Sequence, residues 1–169
     1  MAALCGAAAL RSGLLAGVGW GLLAMFFAGI LPYLLTWRIR HPAAATAPTK
    51  RVRSLYMALA VVTAAVGIAV LRLLGGPPGV IEVIAAILGC LAVVAVTNAR
   101  WRWSNHLAAC AAGTAMLTVL FGPPGLVSAL AIPPVWWARA ALGRHTTVEL
   151  LGGGLVGGLV AGGLLALLT

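Results

Sequence analysis

The sequence is dominated by long apolar runs, which are separated only by turns and short basic loops. With 63% of its residues hydrophobic and 8% charged, the chain has too few polar side chains to cover a water-soluble core. An apolar helix of about 20 residues spans a bilayer, so each run predicts a membrane helix. Six runs are present: Gly13–Thr36, Ser54–Leu74, Val80–Asn98, His106–Phe121, Leu126–Trp137 and Thr146–Leu168.

These runs predict an all-α integral membrane protein, a six-transmembrane-helix bundle formed as a single domain by residues 1–169. Six crossings consume roughly 120 residues, which leaves room only for loops. The fourth and fifth runs are short, and Pro133-Pro134 interrupts the fifth, so parts of them are expected to lie within the bundle. We expect a multi-pass protein of the cell membrane, with the lipid bilayer as its surroundings.

The basic residues are concentrated at one predicted membrane face. The loops after the first, third and fifth runs share that face and hold nine of the eleven Lys and Arg residues, leaving Arg11 and Arg72 opposite. A net charge of +9 arranged in this way indicates lipid headgroups, a phosphorylated substrate or membrane topology, rather than nucleic acid. Because short cytoplasmic loops are enriched in Lys and Arg, the basic face is predicted to be cytoplasmic, with both termini outside.

Acidic and sulfur side chains are too sparse to predict a metal site. Glu82 and Glu149 are the only carboxylates, and Asp does not occur, which argues against a site with two carboxylate-bound metal ions. Cys5, Cys90 and Cys110 lie inside apolar runs without metal-ligand spacing and are interpreted as small hydrophobic residues. We therefore expect no metal and no cofactor.

Small residues recur at helical spacing in two of the runs. In the last run, Gly153 and Gly157, and likewise Gly158 and Gly162, are four residues apart. Ala109/Gly113 in the fourth run has the same spacing. Such pairs allow two membrane helices to approach closely, so they predict helix packing. The sequence leaves the oligomeric state open, a homo-oligomer included.

Two polar stretches occur at the basic face. Trp103-Ser104-Asn105-His106 opens the fourth run, and the second stretch has Arg139, His145 six positions later, and Glu149 four positions after that. The intervening hairpin is expected to cross the membrane and return. His106 and His145 should therefore lie at the same depth, together with an arginine and a carboxylate.

This set of residues suits phosphoryl transfer without a metal. A neutral His145 imidazole can attack phosphorus to form a phosphohistidine, while Glu149 holds its other ring nitrogen. His106 can protonate the leaving group and then activate water. Arg139 can bind phosphate oxygens through paired hydrogen bonds, and Ser104 with nearby backbone amides can bind others.

The layout resembles the type 2 phosphatidic-acid phosphatase superfamily, whose lipid phosphatases have six spans and three signature motifs. The second motif, Pro-Ser-Gly-His, corresponds to Trp103-Ser104-Asn105-His106, and the third, Ser-Arg-x5-His-x3-Asp, to residues 138–149, where Glu149 replaces Asp. The resemblance covers about Arg100–Leu168. The first motif, Lys-x6-Arg-Pro, is not present in that form. Its phosphate-binding charge is expected from Arg102 first, with Arg100, Lys50, Arg51 and Arg53 as further candidates.

The resemblance implies a metal-independent phosphatase that hydrolyses a lipid phosphate or diphosphate, preferably of isoprenoid type. The alternative is a catalytically inactive relative that binds lipid, acts as a scaffold or transports a substrate. Taken singly, His145 is also typical of an interfacial histidine, Arg139 of a topogenic charge, and Lys50 and Arg51 of a juxtamembrane basic cluster. Their joint spacing and predicted sidedness favour a phosphate site.

Overall fold

The computed structural model of the chain describes residues 13–40, 50–143 and 145–169, and within these ranges it contains helices and turns but no strands. A π-helical turn, Phe26–Ile30, joins the first two α-helices, and a 3₁₀ helix, Pro123–Ala131, lies between the fifth and the sixth α-helix. The α-helices are α1 Leu14–Met25, α2 Leu31–Arg40, α3 Lys50–Leu73, α4 Pro78–Arg100, α5 Asn105–Phe121, α6 Ile132–Ala141 and α7 Thr147–Leu168.

The all-helical prediction is confirmed for the described residues, and several of their helices have the length and composition of membrane spans. Four segments meet both requirements: Leu15–Trp37, which runs through α1, the π-helical turn and α2, then Ser54–Leu73, Pro78–Asn98 and Thr147–Leu168. The helix α5 is apolar but has only 17 residues. The structure therefore supports a membrane-embedded helical protein with four candidate spans among the described residues, and the predicted six-span bundle is not confirmed.

The predicted fifth run, Leu126–Trp137, forms parts of two short helices, the 3₁₀ helix and α6, and the interruption predicted at Pro133-Pro134 is found where α6 begins. Gly122, with φ 69°, ends α5 in a backbone conformation that favours glycine. Pro133 and Pro134 lie in the first turn of α6, where their missing N–H groups break no helical hydrogen bond. A single continuous helix would place both prolines in its interior, so the chain begins a new helix instead.

Contacts between the first four helices fix which helix ends lie together. Phe27 lies beside Gly67 and Trp20 beside Gly76, so the α1–α2 helix runs antiparallel to α3. A tight turn then reverses the chain into α4. The ends of α2 and α4 consequently lie at the same end of the bundle as the starts of α3 and α5.

The tightest packing joins α5 to α7, and these two helices run parallel. A Cβ atom on Gly153 would lie 2.6 Å from the carbonyl oxygen of Ser104, and one on Gly162 would lie 2.8 Å from the Cβ of Ala115. Between them, a Cβ on Gly157 would overlap the backbone of Ala108. The predicted packing role of these glycines is confirmed, since the backbones meet where side chains are absent.

The prediction that Ala109 and Gly113 let α5 pack closely against another helix is wrong. Ala109 is exposed, and a Cβ on Gly113 would meet no atom within 4 Å. The small face that α5 turns toward the core contains Ala108 and Ala112, both buried. The core itself lies mainly between α4, α5 and α7, and includes Val83, Ile84, Val94, Ala112, Met116, Ala161 and Leu165.

The α5–α7 contact predicts a sharp difference between two identical substitutions in α7. Gly157→Ala should destabilise the protein by about 1–3 kcal/mol, because its new methyl group meets backbone that cannot move aside. Gly163→Ala should cause no loss, since no atom of the described residues lies within 4 Å of the added Cβ. Thermal unfolding of both variants in the same detergent measures the difference. Equal melting temperatures would contradict the proposed close contact.

Candidate functional site

The candidate site is built where the start of α5 meets the start of α7. The backbone N–H of Ser104 donates to the carbonyl oxygen of Glu149 at 3.1 Å, which ties the two helix starts together. Ser104 is fully buried, and its Oγ accepts a hydrogen bond from the N–H of Leu107 at 3.4 Å as the N-cap of α5. Ser104 therefore caps α5 and holds it against α7, and the predicted binding of phosphate by its hydroxyl stays a prediction.

Glu149 has a capping role that the sequence interpretation missed. Its Oε2 accepts a hydrogen bond from the N–H of Thr146 at 3.0 Å, and its own N–H donates to the Thr146 hydroxyl at 3.3 Å. This is a reciprocal capping box at the start of α7. The pattern Thr-x-x-Glu before an apolar run was the signal that could have found it. The carboxylate is thus fixed in place by the helix start.

His145 lies directly beside this carboxylate, as the spacing predicts. Its Nδ1 is 3.4 Å from Oε2 of Glu149, and the two side chains are only 15% and 23% exposed. The approach is short but not aligned as a hydrogen bond, and Nδ1 forms no hydrogen bond with the described residues. The carboxylate therefore faces one ring nitrogen, and Nε2 is the nitrogen available for chemistry.

His106 shares its electrostatic surroundings with Arg139 and His145. It lies in the first turn of α5, outside the four membrane-length helices, and Arg139 lies in the last turn of α6. Partial burial is the main cause that lowers the pKa of His106 below 6.5, and electrostatic interactions with Arg139 and then His145 lower it further. The folded protein therefore favours the neutral form of His106.

The remaining predicted phosphate ligands are less closely tied to this group. Arg102 is exposed on the α4–α5 loop, two positions before Ser104, and the next cation, Arg100, is exposed at the end of α4. Lys50 and Arg51 begin α3, but their side chains lie outside the described part of the structure. Their predicted contact with a phosphate stays a prediction.

An asparagine pair beside the site was not anticipated from the sequence. Asn98 Nδ2 donates to Asn105 Oδ1 at 2.7 Å, and Asn105 Nδ2 donates to the sulfur of Met57 at 3.5 Å. These bonds join α3, α4 and α5 at the basic end. The sequence does contain a signal for the Asn98–Asn105 bond. The two asparagines lie at the facing ends of consecutive apolar runs, and a buried amide there needs a hydrogen-bond partner.

The side chains of this site supply imidazole groups, a guanidinium group and one carboxylate. In the part of the chain that the structure describes, no three His, Cys, Asp or Glu side chains come together as a metal-binding group would require. Comparison with protein-family models, with curated proteins and with solved structures gives no match.

The electrostatic coupling predicts the titration of His106. Its protonated form is disfavoured in the folded protein, so its midpoint should lie below 6.5, and the stability linked to it should decrease as the pH falls through that midpoint. Arg139→Gln should raise the midpoint, because it removes a neighbouring positive charge. Histidine ring resonances followed by NMR provide the measurement, with Arg72→Gln, at the opposite end of the bundle, as the control. An unchanged His106 midpoint in Arg139→Gln would contradict the coupling.

Proposed function

We propose that the chain is a membrane-embedded, metal-independent phosphatase that hydrolyses a lipid phosphate or diphosphate through a phosphohistidine intermediate. The observation that carries this proposal is the junction of α5 and α7. There His145 lies 3.4 Å from a carboxylate fixed by a capping box, and His106 lies within the electrostatic influence of Arg139 and His145. Arg139 and His145 match the arginine and histidine of the third motif of the superfamily that the sequence resembles, and Glu149 takes the place of its aspartate. Ser104 and His106 match the serine and histidine of the second motif.

The first half of the reaction uses the free nitrogen of His145. The Nε2 lone pair attacks phosphorus, the bond from phosphorus to the leaving oxygen breaks, and that oxygen takes a proton. Glu149 faces Nδ1 and stabilises the positive charge that develops on the ring. Arg139, half-buried at the end of α6, supplies a cation for the phosphate oxygens.

His106 serves as the acid in the first half and as the base in the second. Its lowered pKa favours the neutral form in the free protein, which suits removal of a proton from water. An arriving phosphate brings negative charge that offsets Arg139 and His145, so the pKa of His106 rises and protonation becomes possible. The attacking water oxygen then displaces Nε2 from phosphorus and releases inorganic phosphate.

A second candidate function is lipid binding without turnover. It is favoured by one observation: Ser104, the serine that aligns with the catalytic motif, is fully buried and used as a helix cap. The departure from the first motif supports it as well. Such a protein would bind a phosphorylated lipid at the same basic face and release no phosphate.

The covalent mechanism predicts different outcomes for two conservative substitutions. His145→Asn should lower phosphate release by about 1,000-fold or more, because the amide cannot replace the nucleophile. Glu149→Gln should retain activity that is lower by about 10–100-fold, since glutamine preserves the capping box while the charge is lost. Purified protein assayed against lipid phosphates and prenyl diphosphates in EDTA provides the measurement.

Arg72→Gln, far from the site, is the control and should leave the rate unchanged. Full activity in a folded His145→Asn protein would rule out the phosphohistidine. Binding of the lipids by the wild-type protein without any release of phosphate would favour the second candidate function.

We further propose that the basic face is cytoplasmic, so that the substrate is made or consumed there. Because α7 starts at this face and crosses the membrane, its C-terminal end at Leu168 should lie outside. A C-terminal alkaline phosphatase fusion should then be active and a green-fluorescent fusion dark. The reverse pattern would place the site outside the cytoplasm.

A further inference from the structure

The connection between α4 and α5 carries two arginines at the level where lipid headgroups lie. The candidate span Pro78–Asn98 ends two residues before Arg100, the last residue of α4, and Arg102 follows in the loop. Because a helix rises about 1.5 Å per residue, Arg100 lies about 3 Å beyond the span, within a headgroup region about 5–7 Å deep. Both arginines are exposed, so headgroup phosphates can reach them.

The charges of these two arginines are left unbalanced by the carboxylates of the chain. The sequence contains two carboxylate side chains, Glu82 and Glu149. Glu82 is the fifth residue of α4, at the opposite end of that helix, and Glu149 faces His145 and accepts the Thr146 N–H. Neither arginine forms an ion pair with any residue that the structure describes. Unbalanced cations at a membrane surface attract negative charge from the lipid.

A tryptophan is held in place between the arginines. The Trp101 N–H donates to the carbonyl oxygen of Thr97 at 2.8 Å, and the Trp101 backbone is extended. Its ring centroid lies 5.7 Å from that of Trp103, whose ring in turn lies against Gly152 of α7. One indole thus supports the other, and Trp101 remains 53% exposed. An exposed indole suits the headgroup level of a bilayer, because its ring is apolar and its N–H is polar.

We propose that the segment Arg100–Arg102 binds the headgroup of an anionic phospholipid. The two guanidinium groups attract the negatively charged headgroup, and the indole of Trp101 lies against the glycerol and the upper acyl chain. A zwitterionic lipid offers the same phosphate but balances its charge with an ammonium group, so it should bind less well. The lipid is a bound neighbour rather than a substrate, and the proposal requires no phosphatase activity.

Quenching of Trp101 fluorescence by brominated lipids tests the proposal. The full-length protein is placed in nanodiscs that contain phosphatidylcholine and phosphatidylglycerol, and one of the two lipids is brominated near its headgroup. Subtracting the signal of Trp101→Phe isolates Trp101 from the other five of the six tryptophans. An arginine near an anionic surface contributes about 1 kcal/mol, which is about a fivefold preference. We therefore expect phosphatidylglycerol to be preferred about 25-fold at Trp101. Equal quenching by the two lipids would overturn the proposal.

Substitution of the arginines shows whether this segment causes the preference. Arg100→Gln and Arg102→Gln should each reduce it about fivefold, and the double variant should abolish it. Melting temperatures should change little, since both side chains are exposed. The matched control, Arg72→Gln, removes one exposed arginine at the opposite end of the bundle and should leave the preference unchanged. An equal loss in the control would attribute the preference to net charge and overturn the proposal.

Two further measurements separate this lipid site from the phosphatase site. Raising the salt concentration should weaken the preference in the wild-type protein, because exposed charges are screened. Arg139→Gln should leave the preference unchanged, and its loss there would place the lipid in the phosphatase site and overturn the separate site. A preference that depends on Arg100 and Arg102 in a protein that releases no phosphate would support this inference while the phosphatase proposal fails.

Discussion

The close parallel contact between α5 and α7 is the constraint on which the candidate site depends. Glycines at positions 153 and 157 let the α7 backbone lie against that of α5, and the Ser104 N–H bonds the Glu149 carbonyl at the upper end of this contact. In a bilayer, where apolar side chains gain little by leaving lipid, such close packing and buried hydrogen bonds hold helices together. The polar starts of both helices are thereby held at one level.

This constraint also explains why a short α5 is tolerated. Its 17 residues extend about 25 Å, less than the ~30 Å hydrocarbon layer. Gly162 lies beside Ala115, and from this contact α7 continues to Leu168 and α5 over an equal length to Phe121, so the two helices end at the same level. There Gly122 turns the chain into the 3₁₀ helix, and the return path is completed by α6. Arg139, at the end of α6, comes back to the neighbourhood of His106.

The carboxylate of Glu149 serves two purposes that reinforce each other. As the third residue of α7 it completes a capping box, and in that position it also faces the imidazole of His145. A carboxylate that is already oriented by a backbone N–H needs no rearrangement to stabilise charge on the neighbouring ring.

Much of this architecture follows from the sequence alone, because it depends on local periodicity and composition. The apolar runs predicted the helices, the glycine spacing predicted close packing by α7, and the interval between His145 and Glu149 predicted their contact. The capping box was equally local, although it was overlooked.

Other features required the tertiary structure: the burial of Ser104, the Asn98–Asn105 bond, the indole of Trp103 over Gly152, and the choice of Ala108 and Ala112 over Ala109/Gly113 as the packed face. Each of these depends on how one helix is rotated and shifted against another, and that is decided by the fit of two surfaces rather than by either segment.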